Sequence, residues 1–360
     1  MTENTMHVDK IERIFDASGA EALFITDPHN MRYISGFRGE AGMLYISRKT
    51  KVLITDGRFL EAAKRESGFT VIEEKHSHKR KKILRECLTA DKASIVGYED
   101  KYMRCNEFSK LQNSLPEVSQ WLPLDDQIDE IRKVKTEYEL ELLEKAAAID
   151  DKAFEEFLGE VRAGMTELEA CAFLEYRLKM NGAEALAFDT IVSSGKNTSM
   201  PNARPTSKKI EEGDFLMVDF GCVYQGYRSD MCRTIVIGKA SEEQKKIYRI
   251  VREAQQNVFD NLRAGMTGRD GDELARSVIR AEGYDRYCSH ATGHGVGLYI
   301  HEEPMLSPVD ATVLEVNTVE TVEPGIYIPD FGGARIEDMI VVTSDGIRLL
   351  THAARELIEL

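Results

Sequence analysis

The sequence predicts two domains: an α/β domain over residues 1–124, then an α+β domain over residues 125–360 built from two similar halves. Three observations predict this. At 360 residues the chain exceeds the usual size of one compact core. Its N-terminal third alternates short apolar runs with amphipathic stretches, the signature of mixed strands and helices. Further on, Val161-Arg-Ala-Gly-Met-Thr166 recurs as Leu262-Arg-Ala-Gly-Met-Thr267, an internal echo offset by 101 residues.

In order along the chain, Ala22–Thr26, Met43–Ser47, Val52–Thr55 and Ile95–Tyr98 read as strands. A polar, proline-punctuated segment from Leu115 through Trp121-Leu-Pro123 to Asp125-Asp126 marks the expected domain boundary. Thr136 and Glu139 then form a capping box, and apolar residues recur at helical spacing from Leu140 to Leu158. Each copy of the echo closes one long helix and opens another, which ends near Gly182 or Gly283. Strand-forming sequence follows each time, so the halves are expected to pack about a pseudo-twofold axis.

Composition narrows the class. Apolar residues make up 42% and charged residues 30%, as in ordinary soluble proteins. A net charge of −15 argues against nucleic acid or an anionic membrane as partner. The basic run Lys79–Lys82, beside His76 and His78, reads as the solvated face of a helix. Met1 to Lys10 shows no apolar signal segment, and no stretch reaches the ~18–20 apolar residues of a membrane span. The six cysteines have no CxxC spacing, which suits free thiols in the cytoplasm.

The chemistry concentrates in five residues. Phe215-Leu-Met-Val-Asp-Phe-Gly-Cys222 reads as a strand, and Tyr227 to Ile237 as its hairpin partner. With a two-residue turn centred on Tyr224-Gln225, Asp219 and Asp230 become direct cross-strand neighbours, Cβ atoms ~4.5–5.5 Å apart. Two carboxylates so close repel unless a proton or cation lies between them, and the spacing suits a pair of metal ions. Two exposed strand aspartates are the alternative, and the Phe, Met, Val and Ile around them count against it.

The second half offers matching groups. Glu323 precedes Pro324-Gly325, and Glu337 lies in Ala334-Arg-Ile-Glu-Asp-Met-Ile-Val-Val342, read as a strand. Asp219 follows Thr166 by 53 residues and Glu323 follows Thr267 by 56. Asp230 and Glu337 follow the same threonines by 64 and 70. His294 sits in Gly293-His-Gly-Val-Gly297, read as a glycine loop. Four carboxylates and one imidazole make a hard, anionic ligand set that favours Mn²⁺ or a similar divalent ion.

These motifs, Val-Asp219-Phe-Gly, Ser-Asp230-Met-Cys-Arg-Thr, Thr-Gly-His294-Gly-Val-Gly, Val-Glu323-Pro-Gly-Ile-Tyr and Arg-Ile-Glu337-Asp, resemble the ligand set of the pita-bread metallopeptidases. That family includes prolidase, aminopeptidase P, methionine aminopeptidase and creatinase. The resemblance extends to Asn30-Met-Arg-Tyr-Ile-Ser-Gly-Phe37 and Leu53-Ile-Thr-Asp-Gly-Arg58, similar to the N-terminal domain of prolidase and aminopeptidase P. Methionine aminopeptidases generally lack that domain and creatinase lacks the metal ligands, so the Xaa-Pro branch fits best.

The resemblance implies two divalent metal ions, Mn²⁺ first, with Co²⁺, Zn²⁺ or Fe²⁺ as alternatives. Asp219 would bind one ion in bidentate fashion, His294 and Glu323 the other, while Asp230 and Glu337 bridge both. A bridging water would attack the carbonyl before proline, and Glu323 would relay the proton to the leaving amine. His290 and His301 match histidines that contact substrate, and Arg335 matches a residue that hydrogen-bonds a ligand carboxylate. The implied substrates are short proline-containing peptides and the implied assembly is a homodimer.

One position departs from the family pattern. Where Pro-His-Ala-x-Pro is usual, this chain has Pro201-Asn202-Ala-Arg-Pro205. An amide donates a hydrogen bond but carries no proton near neutral pH. Besides the peptidase, Asn202 therefore supports two alternatives: a catalytically impaired metal-binding homologue that binds peptide or protein, and a peptidase of altered specificity. Cys232, where threonine is frequent, shares the strand face of Asp230.

Overall fold

A computed structural model describes residues 7–360, which divide into two compact units, one ending at Arg132 and one running from Lys133 to Leu360. Among the described residues no helix is long and apolar enough to cross a membrane.

In the first unit the elements run α1 Val8–Ser18, β1 Ala22–Ile25, α2 Pro28–Ser35, β2 Met43–Ser47, β3 Lys51–Thr55, α3 Leu60–Glu66 and β4 Thr70–Glu73. They continue as α4 Arg80–Asp91, β5 Ile95–Tyr98, α5 Cys105–Ser114, β6 Gln120–Pro123 and α6 Asp125–Lys133. The strands form one mixed sheet in the order β4-β3-β2-β1-β5-β6. All four residues of β1 are buried, which explains its unbroken apolar run: a central strand covered on both faces has no polar side.

Within the segment expected to mark the boundary, Gln120–Pro123 forms β6, parallel to β5. The Trp121 ring lies edge-on to Phe24 at 5.8 Å and to Phe108 at 5.5 Å. Pro123 is tolerated because β6 is an edge strand, where a missing N–H breaks no second ladder. In the Lys79–Lys82 run, Lys79, Lys81 and Lys82 are exposed on or beside α4, as expected of a solvated face.

The second unit opens on α7 Glu137–Leu158, started by the reciprocal Thr136–Glu139 capping box. The echo is structural as well. Thr166 caps α8 Glu167–Met180 with Glu169, and Thr267 caps α10 Gly268–Ala281 with Asp270, while α9 spans Glu242–Asn261. Gly164 and Gly265 hold φ of 91° and 90°, and each threonine makes an isolated antiparallel bridge to a later segment, at Lys209 and Val313. The first core packs α7 and α8 on β8 Ile191–Ser194, β9 Phe215–Phe220 and β12 Met231–Val236. The second packs α9 and α10 on β14 Glu302–Leu306, β15 Val319–Val322, β16 Gly325–Ile328, β17 Gly332–Arg335 and β18 Asp338–Val342.

Three local expectations are corrected. The hairpin from β10 Cys222–Tyr224 to β11 Tyr227–Arg228 turns on Gln225-Gly226, because Tyr224 pairs Tyr227. Both turn residues have positive φ, 43° and 78°, as a tight hairpin requires, and Gly226 supplies the second at no steric cost. The register therefore shifts by two: Asp219 pairs Cys232, and Asp230 is its diagonal neighbour. A shift of two preserves the strand face, so both carboxylates still share a side.

Next, Gly293–Gly295 is a strand, β13, between β14 and β15. Its glycines serve close packing, since a Cβ on Gly293 would meet the Thr321 carbonyl oxygen at 1.9 Å. Finally, the run from Ala334 to Val342 breaks between β17 and β18, where Glu337 bridges to Cys232 instead. The Glu337 N–H donates to the Cys232 carbonyl at 2.9 Å, joining the two half-sheets beside the carboxylates.

Candidate metal centre

The two halves deliver their polar residues to one cavity of about 250 Å³. Its lining includes Asp219, Asp230, His294, Glu323, Glu337, His290, His301, Asn202 and Arg335, with Phe188, Ile191, Pro201 and Ile300 as apolar walls. The five candidate ligands and His290, His301, Asn202 and Arg335 are therefore brought together, while Cys232 is buried against Met217 and Tyr327 outside the lining.

Asp219 comes from β9, Asp230 from the residue before β12, Glu323 from the residue after β15, and Glu337 from the residue before β18. Side chains alternate along strands, so their placement is set by register. The tightest convergence is Asp230, His294 and Glu337, whose donor atoms lie within 4.8 Å of one another. Exposure is 7% for Asp219, 5% for Asp230, 5% for His294 and 1% for Glu337. His294 Nε2 is 3.5 Å from Asp230 Oδ2 and 3.7 Å from Glu323 Oε1. The Arg335 guanidinium bonds Asp219 Oδ2 and lies 4.0 Å from Glu323 Oε2.

Charge is the governing problem of this cavity. Burial raises the pKa of all four carboxylates, and their mutual repulsion adds to it at Asp230 and Glu337. Arg335 pulls the other way, yet burial wins at Glu323, which is pushed up to about 8. Burial also pushes His290 and His294 down to about 4, so both imidazoles are neutral near pH 7. The His294 Nδ1 lies 3.0 Å from the Gly295 carbonyl, which fixes the proton there and leaves Nε2 as a lone pair facing the carboxylates.

Asp219 Oδ1 is buried without a hydrogen-bond partner. An orphaned carboxylate oxygen, a neutral imidazole and three further carboxylates are what hard divalent cations require. The residues fit such ions.

Two features were not read from sequence. Tyr327, on β16, places its hydroxyl 2.7 Å from His290 Nε2 and 2.8 Å from an Arg335 amino nitrogen. With His290 Nδ1 at 2.7 Å from the Ala291 carbonyl, the His290 ring is held at both nitrogens. The tyrosine stands in the Glu-Pro-Gly-Ile-Tyr motif, but only the β16–β17 pairing shows where it reaches. The apolar walls were missed too, since Phe188, Ile191 and Ile300 carry no pattern that separates wall from core. His301 stands edge-on to His294, ring centroids 4.5 Å apart, and Asn202 is exposed at the cavity.

Comparison with known proteins gives the family. Residues 141–344 match the model of metallopeptidase family M24, and residues 7–134 match the creatinase/prolidase N-terminal domain. An Xaa-Pro dipeptidase of Pyrococcus horikoshii is 40% identical, covering 98% of both chains. The structure of an Xaa-Pro dipeptidase from Bacillus anthracis superposes with a TM-score of 0.94 at 39% identity, over 98% of this chain and 99% of that one. That of an X-Pro aminopeptidase from Thermotoga maritima gives 0.91 at 35%, over 97% and 100%. With both domains matched at full length, the chain belongs to metallopeptidase family M24, in its pita-bread Xaa-Pro peptidase branch.

Proposed function

We propose that this chain is a metallo-exopeptidase that hydrolyses the Xaa-Pro bond at the N-terminus of short peptides. The observation that carries the reading is the convergence of buried carboxylates and a neutral imidazole in a small, partly apolar cavity. Asp219, Asp230, His294, Glu323 and Glu337 would hold two divalent cations, Mn²⁺ first among them. When bound, such ions activate water and polarise the scissile carbonyl.

The remaining work falls to the protein. Glu323, whose carboxylate would lie beside the attacking water once the cations are bound, would accept its proton and pass it to the leaving proline nitrogen. Phe188, Ile191 and Ile300 give the pyrrolidine ring an apolar wall. His301 and the Asn202 amide offer donors to the peptide carbonyl, while Tyr327 and Ala291 keep the His290 ring from turning. The reading includes the N-terminal domain over residues 1–124, a homodimer and a cytoplasmic setting.

Proline release from Met-Pro, set beside Met-Ala and a tripeptide with proline second, tests the function. Brisk cleavage of Met-Pro alone or with the tripeptide supports it. Equal cleavage of Met-Ala moves the chain to a general dipeptidase, and binding without cleavage to an impaired homologue.

A further inference from the structure

We propose that Arg228 is the positioning residue that sets the width of the substrate cavity, by tying two of its wall segments to the strand that leads into Asp230. The inference rests on the peptide-binding reading of that cavity and adds a residue to which no role in it has been given.

Arg228 ends β11, two residues before Asp230. It makes three hydrogen bonds, all to backbone carbonyls of other segments. Its main-chain N–H donates to Gly297 at 2.8 Å, and its Nε donates to Leu298 at 3.0 Å. An amino nitrogen of the same guanidinium donates to Ala187. Ala187 immediately precedes Phe188, a wall residue, and Leu298 lies just before Ile300 and His301, which also line the cavity. One side chain thus joins the Phe188 segment, the 297–301 segment and the Asp230 strand.

The chemistry argues for purpose rather than incidental contact. Arg228 is half-buried, and among the described residues no carboxylate lies within ion-pair distance of it. Glu302 acts on it only through space, its carboxylate being bonded to Lys135 at 2.8 Å, so the cost of withdrawing the guanidinium from water is met chiefly by well-directed bonds to its neighbours. The planar guanidinium, with donors diverging from one rigid fork, can hold two carbonyls on separate segments at once, whereas a lysine presents a single point charge. Both accepting residues are buried, Ala187 at 5% and Leu298 at 1% exposure, so the clamp acts on settled backbone and not on loose loop tips. The 297–301 segment has a second tie, the Tyr299 N–H on Glu302 at 3.1 Å, which anchors its far end. Arg228 holds the near end.

A cavity of this size discriminates by fit, so a modest outward drift of either wall weakens substrate binding before it touches the metal ligands. The tests are Arg228→Met, which keeps the stem and removes the donors, and Arg228→Lys, which keeps charge. Amide hydrogen exchange of residues 187–191 and 297–301 is measured first, on metal-loaded protein, with α7 as internal control. Both segments should exchange at least ~10-fold faster in Arg228→Met while α7 is unchanged, and Arg228→Lys should fall between.

With Met-Pro, KM should rise ~10-fold or more while kcat stays within about threefold and manganese content is unchanged. Unchanged exchange in either segment overturns the clamp. So does a fall in kcat and manganese content at constant KM, which would place the effect on Asp230 instead. Should Arg228→Met not fold, Arg228→Lys carries the same comparison. If the wild-type protein released no proline while the two segments loosened together, the clamp would stand and the substrate assignment would fall.

Discussion

Arg335 binds Asp219 through one amino nitrogen, and the pairing leaves Asp219 Oδ1 buried with no partner of its own. The cavity thus contains a single fixed cation against four carboxylates, and its charge is unbalanced by design. Protons or metal ions must make up the difference. Most of what can be tested about this protein follows from that imbalance.

Replacing Arg335 with Met removes the one resident cation. Breaking a buried pair of this kind costs about 3–5 kcal/mol in the metal-free protein. Urea denaturation with and without Mn²⁺ checks it. The metal-loaded variant should recover part of the loss, and an unchanged midpoint in the metal-free form would contradict the account.

Stability of the metal-free protein should depend on pH in an unusual direction. The four carboxylates have folded pKa values above their unfolded ones, Glu323 near 8 against an ordinary value of about 4.3. The folded state therefore binds more protons than the unfolded state, and stability falls as pH rises between those limits. Melting temperature of stripped protein should drop from pH 5.5 to 8, and the gain on adding Mn²⁺ should grow over the same range. A metal-induced gain that is flat with pH would count against protonated carboxylates.

Tyr327→Phe removes the hydroxyl between His290 and Arg335. His290 Nε2 then loses its donor, and the ring is free to turn. We expect kcat on Met-Pro to fall about 10- to 100-fold with manganese content intact, the range set by losing one oriented catalytic group. A drop confined to stability would make Tyr327 a packing residue.

Asn202→His restores a titrating donor at the cavity. It should raise kcat on Met-Pro about 10-fold and add a basic group that titrates near pH 6–7 to the rate profile. An unchanged or lower rate would show that the amide already supplies what the reaction needs from this position.

Thr166→Ala and Thr267→Ala remove the caps of α8 and α10, each costing about 1 kcal/mol. Both lie far along the chain from the ligands, so kinetic constants should hold while melting temperatures fall. Activity lost without stability would contradict the division between scaffold and site.

The sequence made much of this legible because the chemistry is written in strand parity. The Asp219–Asp230 pairing gives way to Asp219–Cys232, since Gln225-Gly226 turns the chain in place of Tyr224-Gln225, but the shift is two residues and both carboxylates keep the same face. The Thr136–Glu139 capping box and the helix junctions at the repeat were legible because helix-start signals are local. What local sequence does not contain is contact between distant segments. Trp121 read as linker because its partners Phe24, Tyr98 and Phe108 belong to other elements. Gly293–Gly295 read as a loop because its glycines answer to the Thr321 backbone, not to a turn. Tyr327 and Arg228 were passed over for the same reason: each acts through bonds to residues dozens of positions away.

Metal titration of stripped protein, with Met-Pro hydrolysis as the readout, asks whether the five ligands and the peptidase activity belong to one site. Stripped protein should cleave nothing, activity should return as Mn²⁺ is added up to two equivalents, and Glu337→Ala should show no recovery. Cleavage at full rate by the metal-free protein, or saturation with bound Mn²⁺ and no proline released, would contradict this.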